Sequence, residues 1–319
     1  MISCGEIVHT PVLLTEVLAA LAIKPGGIYM DCTFGRGGHS RELLACIGSS
    51  GCVFALDKDP EAVRVGKNIA ECDPRFVIEK ASYTKLADFA KTGWIVAGEC
   101  VFGRVDGVLF DLGVSSPQLA DPNRGFGFMV DGPLDMRMDP STGVGAAKWL
   151  ARASEDEIGT VLRVYGEERH ARRIARAIVG ERRRRPIQTT GQLAALVARA
   201  SPSRERNKHP ATRTFQAIRI YLNQELEELR EALEQVPGVL ASGGRLVVIS
   251  FHSLEDRLVK RFIRARSREI VPARGLPVMP HAVPPLLVTP QRRPVRPSTE
   301  EIARNPKARS ALLRMAQKR

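Results

Sequence analysis

Aromatic residues make up only 5% of this 319-residue chain, so extensive stacking on nucleobases or sugars is not its main mode of recognition. Cysteine is equally uninformative as a metal or redox signature. The six cysteines (Cys4, Cys32, Cys46, Cys52, Cys72 and Cys100) form no C-x-x-C pair and have no histidine at zinc spacing, so they read as reduced, packed thiols with no metal site. No apolar run approaches the ~18 residues of a membrane span, and no signal-peptide core follows Met1, which predicts a soluble cytoplasmic protein. A third glycine is also missing from the one glycine turn that resembles a nucleotide site, where Ser40 holds its place. That omission argues against a dinucleotide.

Hydrophobic residues make up 44% of the chain, enough for a packed core in about two domains. Net charge is +13, and the excess is concentrated. Residues 163–213 carry 14 Lys and Arg against four Glu, and residues 292–319 carry nine against two, leaving the remainder slightly acidic. Such asymmetry predicts a polyanionic partner met by one face. In the run Arg182, Arg183, Arg184, Arg185, four adjacent like charges repel one another unless a counter-charge is supplied.

The most informative stretch runs from Asp31 through Gly35, Gly37 and Gly38 to His39. It follows the apolar run Ile28-Tyr29-Met30, and a second apolar run, Val53 to Leu56, ends in Asp57. Strand, glycine turn, helix, strand and acid form the layout of a nucleotide-cofactor site, with the acid placed to bind both hydroxyls of a ribose. An acid at the end of the first strand would repel a pyrophosphate and favour a cation. The residues therefore favour S-adenosylmethionine, with its amino group and sulfonium, over a nicotinamide dinucleotide.

Strands are expected at 28–31, 52–57, 75–79 and 105–111, with helices near 39–47, 60–70 and 84–91 between them: a parallel sheet covered on both faces. His9-Thr10-Pro11 reads as a helix start, with Thr10 as N-cap. Beyond Asp111 the rhythm breaks into a Gly-, Pro- and Asp-rich loop, 117–139, and loops this long inside a compact domain are usually functional. Short helices follow near 146–151, 154–164, 167–180 and 190–199, then a long one over 213–235 with an apolar stripe from Phe215 to Leu233. Arg245 to Ser250 resumes the sheet, Ser253 and Asp256 suggest a capping box, 271–285 is a Pro-rich loop, and 286–289 and 311–315 supply the last strands. The expected division is a discontinuous α/β domain, 1–115 and 213–319, interrupted by an inserted loop and all-helical domain, 116–212.

Eight segments in order carry a resemblance that covers nearly the whole chain. They are His9 to Leu14, Asp31 to Ser40, Asp111 to Gln118, Arg124 to Phe128, Gly132 to Asp139, Thr212 to Gln216 with Ser250 to Asp256, and Asn305 to Ser310. In these the chain resembles the bacterial 16S ribosomal RNA cytosine-N4 methyltransferase family (RsmH, also called MraW). The resemblance implies an α/β, Rossmann-like S-adenosylmethionine-dependent methyltransferase sheet with an inserted helical domain. The substrate it implies is a cytidine in the decoding region of 16S rRNA, within the small ribosomal subunit. Carried over residue by residue, it implies cofactor contacts at Gly37, Gly38, His39, Asp57, Tyr83, Asp111 and Gln118, with Asp111 also the catalytic candidate. The Pro-Pro-aromatic platform of many amino-group methyltransferases is absent here, where Asp111-Leu112-Gly113-Val114 stands in its place. Phe126 and Phe128 are therefore the candidates for stacking on the target base, and Arg182 to Arg185 for holding RNA phosphates. A DNA amino methyltransferase, an NAD-linked oxidoreductase and a non-enzymatic RNA-binding factor are the alternatives.

Overall fold

The computed structural model describes residues 11–201, 209–269 and 284–319. They form two compact units, Met1–Gly113 with Glu228–Arg319, and Val114–Glu227.

The first unit is built on a seven-stranded sheet. Strands β1 (Ile28–Asp31), β2 (Cys52–Asp57), β3 (Phe76–Lys80), β6 (Val105–Asp111) and β7 (Leu240–Ser250) run parallel, and β8 (Leu287–Val288) and β9 (Leu312–Lys318) complete it in the order β3-β2-β1-β6-β7-β9-β8. β9 lies antiparallel between β7 and β8. Alternate side chains feed two separate cores: Met30, Phe54, Phe110 and Val248 enter one, and Tyr29, Ala55, Leu109 and Ile249 the other. That is why these strands read as continuous apolar runs, since neither face meets water. The order reverses between β1 and β6, so the carboxyl ends of β1, β2 and β6 open at a switch point where ligands bind in sheets of this kind.

Strands β1, β2, β3 and β6 match the expected positions within a residue, but β7 starts at Leu240 instead of Arg245, β9 runs on to Lys318 instead of ending at 315, and several helix ends differ. The first helix is Leu14–Leu21 and starts three residues after Pro11, because Leu13 is left-handed (φ 55) and its amide donates to the Glu301 carboxylate at 2.8 Å. The proposed Thr10 cap lies outside the described residues, as do Cys4 and most of the Pro-rich loop, 271–283. In place of one helix over 84–91 there are three short turns, Tyr83–Lys85, Leu86–Asp88 and Phe89–Gly93. They lead into a hairpin that the sequence did not announce, β4 (Ile95–Val96) and β5 (Glu99–Cys100), turned at Ala97 (φ 52) and Gly98 (φ 81). Trp94 stacks between Phe54 and Phe89 and ties this excursion to the core. The helix Ser253–Arg266 is capped by His252 with Glu255, not by Ser253 with Asp256. Asp256 instead forms a double ion pair with Arg314 of β9.

The second unit is helical: Ala146–Arg152, Glu155–Gly166, Ala171–Arg182, Thr190–Ala200 and Thr212–Leu222 surround a core of Leu150, Ile158, Leu162, Ile174, Ile178 and Leu193. The long helix expected over 213–235 is two, Thr212–Leu222 and Glu225–Val239, broken where Gln224 turns left-handed (φ 51). At the break Asn223 donates to the carbonyls of Met136 and Arg219 and accepts the Met138 amide, so the helix end anchors the preceding loop. Phe215, Ala217 and Ile218 pack into the helical core, which is why the chain leaves this unit at Glu227 and not at residue 212. Among the described residues, no helix is long and apolar enough to cross a membrane.

Candidate active site

The carboxyl ends of β1, β2 and β6 bring three acids together. After β1 the chain turns through Gly35 (φ 59) and Gly37 (φ 75), both in the left-handed region, and enters the helix Gly38–Cys46. At Gly37 a side chain would also strike the Phe34 ring at 2.6 Å, so glycine is required twice over.

Asp57 stands at the end of β2. Its Oδ2 accepts the Gly35 amide at 2.7 Å and its Oδ1 the Asp59 amide at 2.9 Å. The two bonds aim the carboxylate at the glycine turn and leave lone pairs free for a diol. Burial raises its pKa to about 6 against the pull of those amides.

Asp111 stands at the end of β6, with its amide donated to Thr33 Oγ1 at 2.6 Å. Its side chain is 27% exposed overall, yet Oδ1 is fully buried and has no hydrogen-bond partner among the described residues. Burial raises its pKa to about 6; His39 opposes the rise, while Asp31 and Glu255 add to it. His39 is buried (6% exposed). Its Nε2 lies 3.1 Å from the Val12 carbonyl, an acceptor only, so Nε2 carries a proton, and Nδ1 faces Asp111 Oδ2 at 3.7 Å.

Asp31 departs from its expected role as the group that meets a cation. It is 1% exposed, its Oδ2 accepts the Ser40 hydroxyl at 2.7 Å, and its Oδ1 accepts the Thr33 amide at 3.2 Å. Burial raises its pKa too. Asp31 is a buried brace beneath the turn. Ser40, the residue in the third-glycine position, is the donor it needs.

Tyr83 follows β3 and stands edge-on to Phe110, ring centroids 5.6 Å apart. Between it and Asp57 lies a cluster that sequence reasoning missed: Glu228 takes an ion pair from Lys58 (2.7 Å) and a hydrogen bond from Ser82 (2.9 Å). It ties together the segments that follow β2 and β3. No motif spacing could have found it, because Glu228 arrives from a helix 146 positions from Ser82.

The remaining candidates belong to the helical unit. Gln118 is 8% exposed, and its Oε1 accepts the Ser115 amide at 2.8 Å in a capping box, so the side chain fixes the start of the short helix Ser116–Ala120. Phe126 is in the helical core at 5% exposure, with the Arg124 guanidinium over its ring. Phe128 is half-buried, its ring 4.8 Å from both His209 and Phe215. Phe126 is therefore spent on packing and does not present a face to a base. The arginine run also divides. Arg182 donates to the carbonyls of Leu150 and, at 2.6 Å, of Ala153, closing the end of a neighbouring helix. Arg185 pairs with Glu181. Arg183 and Arg184 are exposed.

A doubly wound sheet with one antiparallel strand let in beside its far edge, with Ser40 in the third-glycine place and acids at its switch point, has the Rossmann-like architecture of S-adenosylmethionine-dependent methyltransferases. More narrowly, the chain belongs to the MraW methylase family, whose model matches residues 6–319. It is 55% identical over 313 residues to the ribosomal RNA small subunit methyltransferase H of Nitrosococcus oceani, covering 97% of this chain and 96% of that one. With the protein of the same name from Thioalkalivibrio sulfidiphilus it shares 54% over 311 residues, 97% of each. Among solved structures, an rRNA methylase from Streptococcus thermophilus aligns with 98% of this chain and 99% of its own at 11% identity and a TM-score of 0.42, a likeness too remote to bear on chemistry.

Proposed function

We propose that the protein methylates the exocyclic N4 of a cytidine in the decoding region of 16S rRNA, within the small ribosomal subunit, using S-adenosylmethionine. The relatives named above support the ribosomal RNA substrate. The observation that carries the chemistry is the orphaned, buried Oδ1 of Asp111. A buried acceptor without a partner is unfavourable unless a ligand supplies a donor. The part of the Asp111 side chain that remains exposed can take a donor from an amine, so the residues present fit this cofactor and this substrate. The reading places the protein in the cytoplasm, where ribosomal subunits are made.

When bound, S-adenosylmethionine supplies an electrophilic methyl group on a sulfonium. The chain's own residues do the rest. Asp57, its carboxylate fixed by the Gly35 and Asp59 amides, accepts both ribose hydroxyls in charge-assisted bonds. Gly37, Gly38 and the backbone of His39 would line the approach, and Tyr83 would offer an aromatic ring to the adenine. Gln118, already engaged in its cap, holds the chain leading out of β6.

The cytosine amino lone pair is delocalised into the ring and is a poor nucleophile. Asp111 accepts an N4–H bond, draws the lone pair toward the methyl group, and takes the proton that the methylated amine sheds. Holding amine and methyl in line supplies most of the acceleration, ~7–11 kcal/mol in favourable cases. Arg183 and Arg184 supply phosphate contacts that give affinity without reading sequence.

The test is direct. The protein is incubated with methyl-labelled S-adenosylmethionine and separated ribosomal subunits, and the labelled nucleoside is identified after digestion. Label in N4-methylated cytidine of the small subunit is expected; label elsewhere, or none, sinks the reading.

A further inference from the structure

The most exposed large apolar side chains in the described structure are adjacent, Met129 at 88% and Val130 at 62%. They form the tip of the loop that follows Phe128, and the loop is not slack. On one side Phe128 packs against His209 and Phe215. On the other, Asp131 accepts the Gly191 amide at 2.7 Å, and Gly132 exchanges bonds with Thr190, its amide to Oγ1 at 3.1 Å and its carbonyl to the amide at 2.9 Å. Gly132 lies so close to Pro122 that a Cβ there would be 2.1 Å from the Pro122 carbonyl oxygen. A loop pinned at both ends holds two apolar side chains in water, a position that packing does not explain.

Charge lies on the adjoining segment. The Gln188 carbonyl accepts the Leu134 amide, and only Pro186 and Ile187 separate Gln188 from Arg185. The cations and the apolar tip are therefore presented by neighbouring stretches of one unit. Basic residues that track a backbone, beside an apolar projection, are the means by which proteins unstack bases: the cations hold phosphates and the wedge fills the gap in the stack. Phe126 is not available for that task, and the chain is poor in other aromatics.

We infer that Met129 and Val130 are an apolar wedge that inserts between bases of the RNA and holds open the place vacated by the extruded cytidine. The inference rests on the proposed RNA substrate, and it goes beyond it by assigning the extrusion step to named side chains. A cytosine in folded RNA must leave its stack before its amine can reach a methyl donor.

The experiment uses the full chain, an RNA fragment of the decoding region with 2-aminopurine beside the target cytidine, and intact small subunits. The variants are M129S/V130S and the apolar control M129L/V130I. Both positions are exposed, so melting temperature and S-adenosylmethionine affinity should match the parent protein and certify the fold. The serine variant should lose the 2-aminopurine fluorescence rise and roughly tenfold or more in kcat, with the salt dependence of RNA binding unchanged. The control should retain both, and an abasic site next to the target should restore the serine variant. An unchanged kcat or fluorescence rise in M129S/V130S overturns the wedge. So does equal loss in M129L/V130I, or a loss seen only on protein-containing subunits, which would make the tip a protein contact. If the parent protein methylates no cytidine at all, it is the substrate reading that has failed, and the two failures are distinguishable.

Discussion

Nδ1 of His39 lies 3.7 Å from Oδ2 of Asp111, while the other nitrogen of the imidazole is committed to the Val12 carbonyl. One residue lies in the first turn of the helix after β1 and the other ends β6, so the contact joins the glycine turn to the carboxyl end of β6. It leaves two acceptors face to face unless a proton lies between them, an arrangement that would suit the base role proposed for Asp111.

The first prediction concerns pH. Asp111 acts as a base only when ionised, and its pKa is raised to about 6, chiefly by burial. At saturating donor, kcat should fall as pH drops through about 6. Stability runs the other way. A carboxyl whose folded pKa exceeds the unfolded value of about 3.9 stabilises the fold when protonated, and that contribution is lost as pH rises through the folded value. Asp111→Asn should therefore abolish most turnover, yet stabilise the ligand-free protein by about 1–3 kcal/mol near pH 8, with a smaller gain near pH 4.5. Thermal melts at the two pH values check this; near-normal turnover in the variant would refute the base assignment.

Asp57 is the second. Replacing it with Ala removes the acceptor for two backbone amides as well as for the ribose. Donor affinity should fall by about 100-fold or more, since bonds to a charged group are worth roughly 1.5–3 kcal/mol each. Isothermal titration with S-adenosylmethionine measures it, and retained affinity would remove Asp57 from the ribose site.

The arginine run separates into two kinds of residue, and this is testable by salt titration. Neutralising Arg183 and Arg184 to Gln should flatten the dependence of log affinity for RNA on log salt by roughly 1–1.5 units, about 0.7 for each single-strand phosphate left without its cation. Arg182→Gln should leave the slope alone and lower the melting temperature, because Arg182 closes the carbonyls of Leu150 and Ala153. The reverse pattern would mean that the roles are exchanged.

A fourth prediction tests the far edge of the sheet. Asp256 and Arg314 are 18% and 12% exposed and bonded twice. Truncating either to Ala strands a poorly solvated charge and should destabilise the protein by roughly 2–4 kcal/mol in denaturant unfolding. The double variant should lose less than the sum of the two.

Most of the sheet was legible because doubly buried strands spell themselves as apolar runs; β1, β2 and β6 begin and end within a residue of where the sequence placed them. Helix boundaries were less so. Leu13 and Gln224 adopt left-handed conformations that neither residue type advertises, and each moved a helix end. In the site, Asp57 and Asp111 stand at strand ends as expected, since the end of an apolar run is visible in a sequence. The reassignment of Phe126, Arg182 and Asp31 from ligand contact to structural support was not legible. A phenyl ring, a guanidinium or a carboxylate looks the same in a sequence whether it faces a ligand or a neighbouring carbonyl.

Local chemistry alone determined the order of strands and helices, the glycine turn, the acid that follows β2, and the placement of positive charge, because each depends on residues close together in the chain. Tertiary structure decided which polar groups have partners. Glu228 joins Lys58 to Ser82, and Oδ1 of Asp111 is left without a partner among the described residues. Those pairings depend on groups meeting across long separations, and burial makes an unmet one matter: away from water, a lone acceptor must find its donor in the protein or in the ligand.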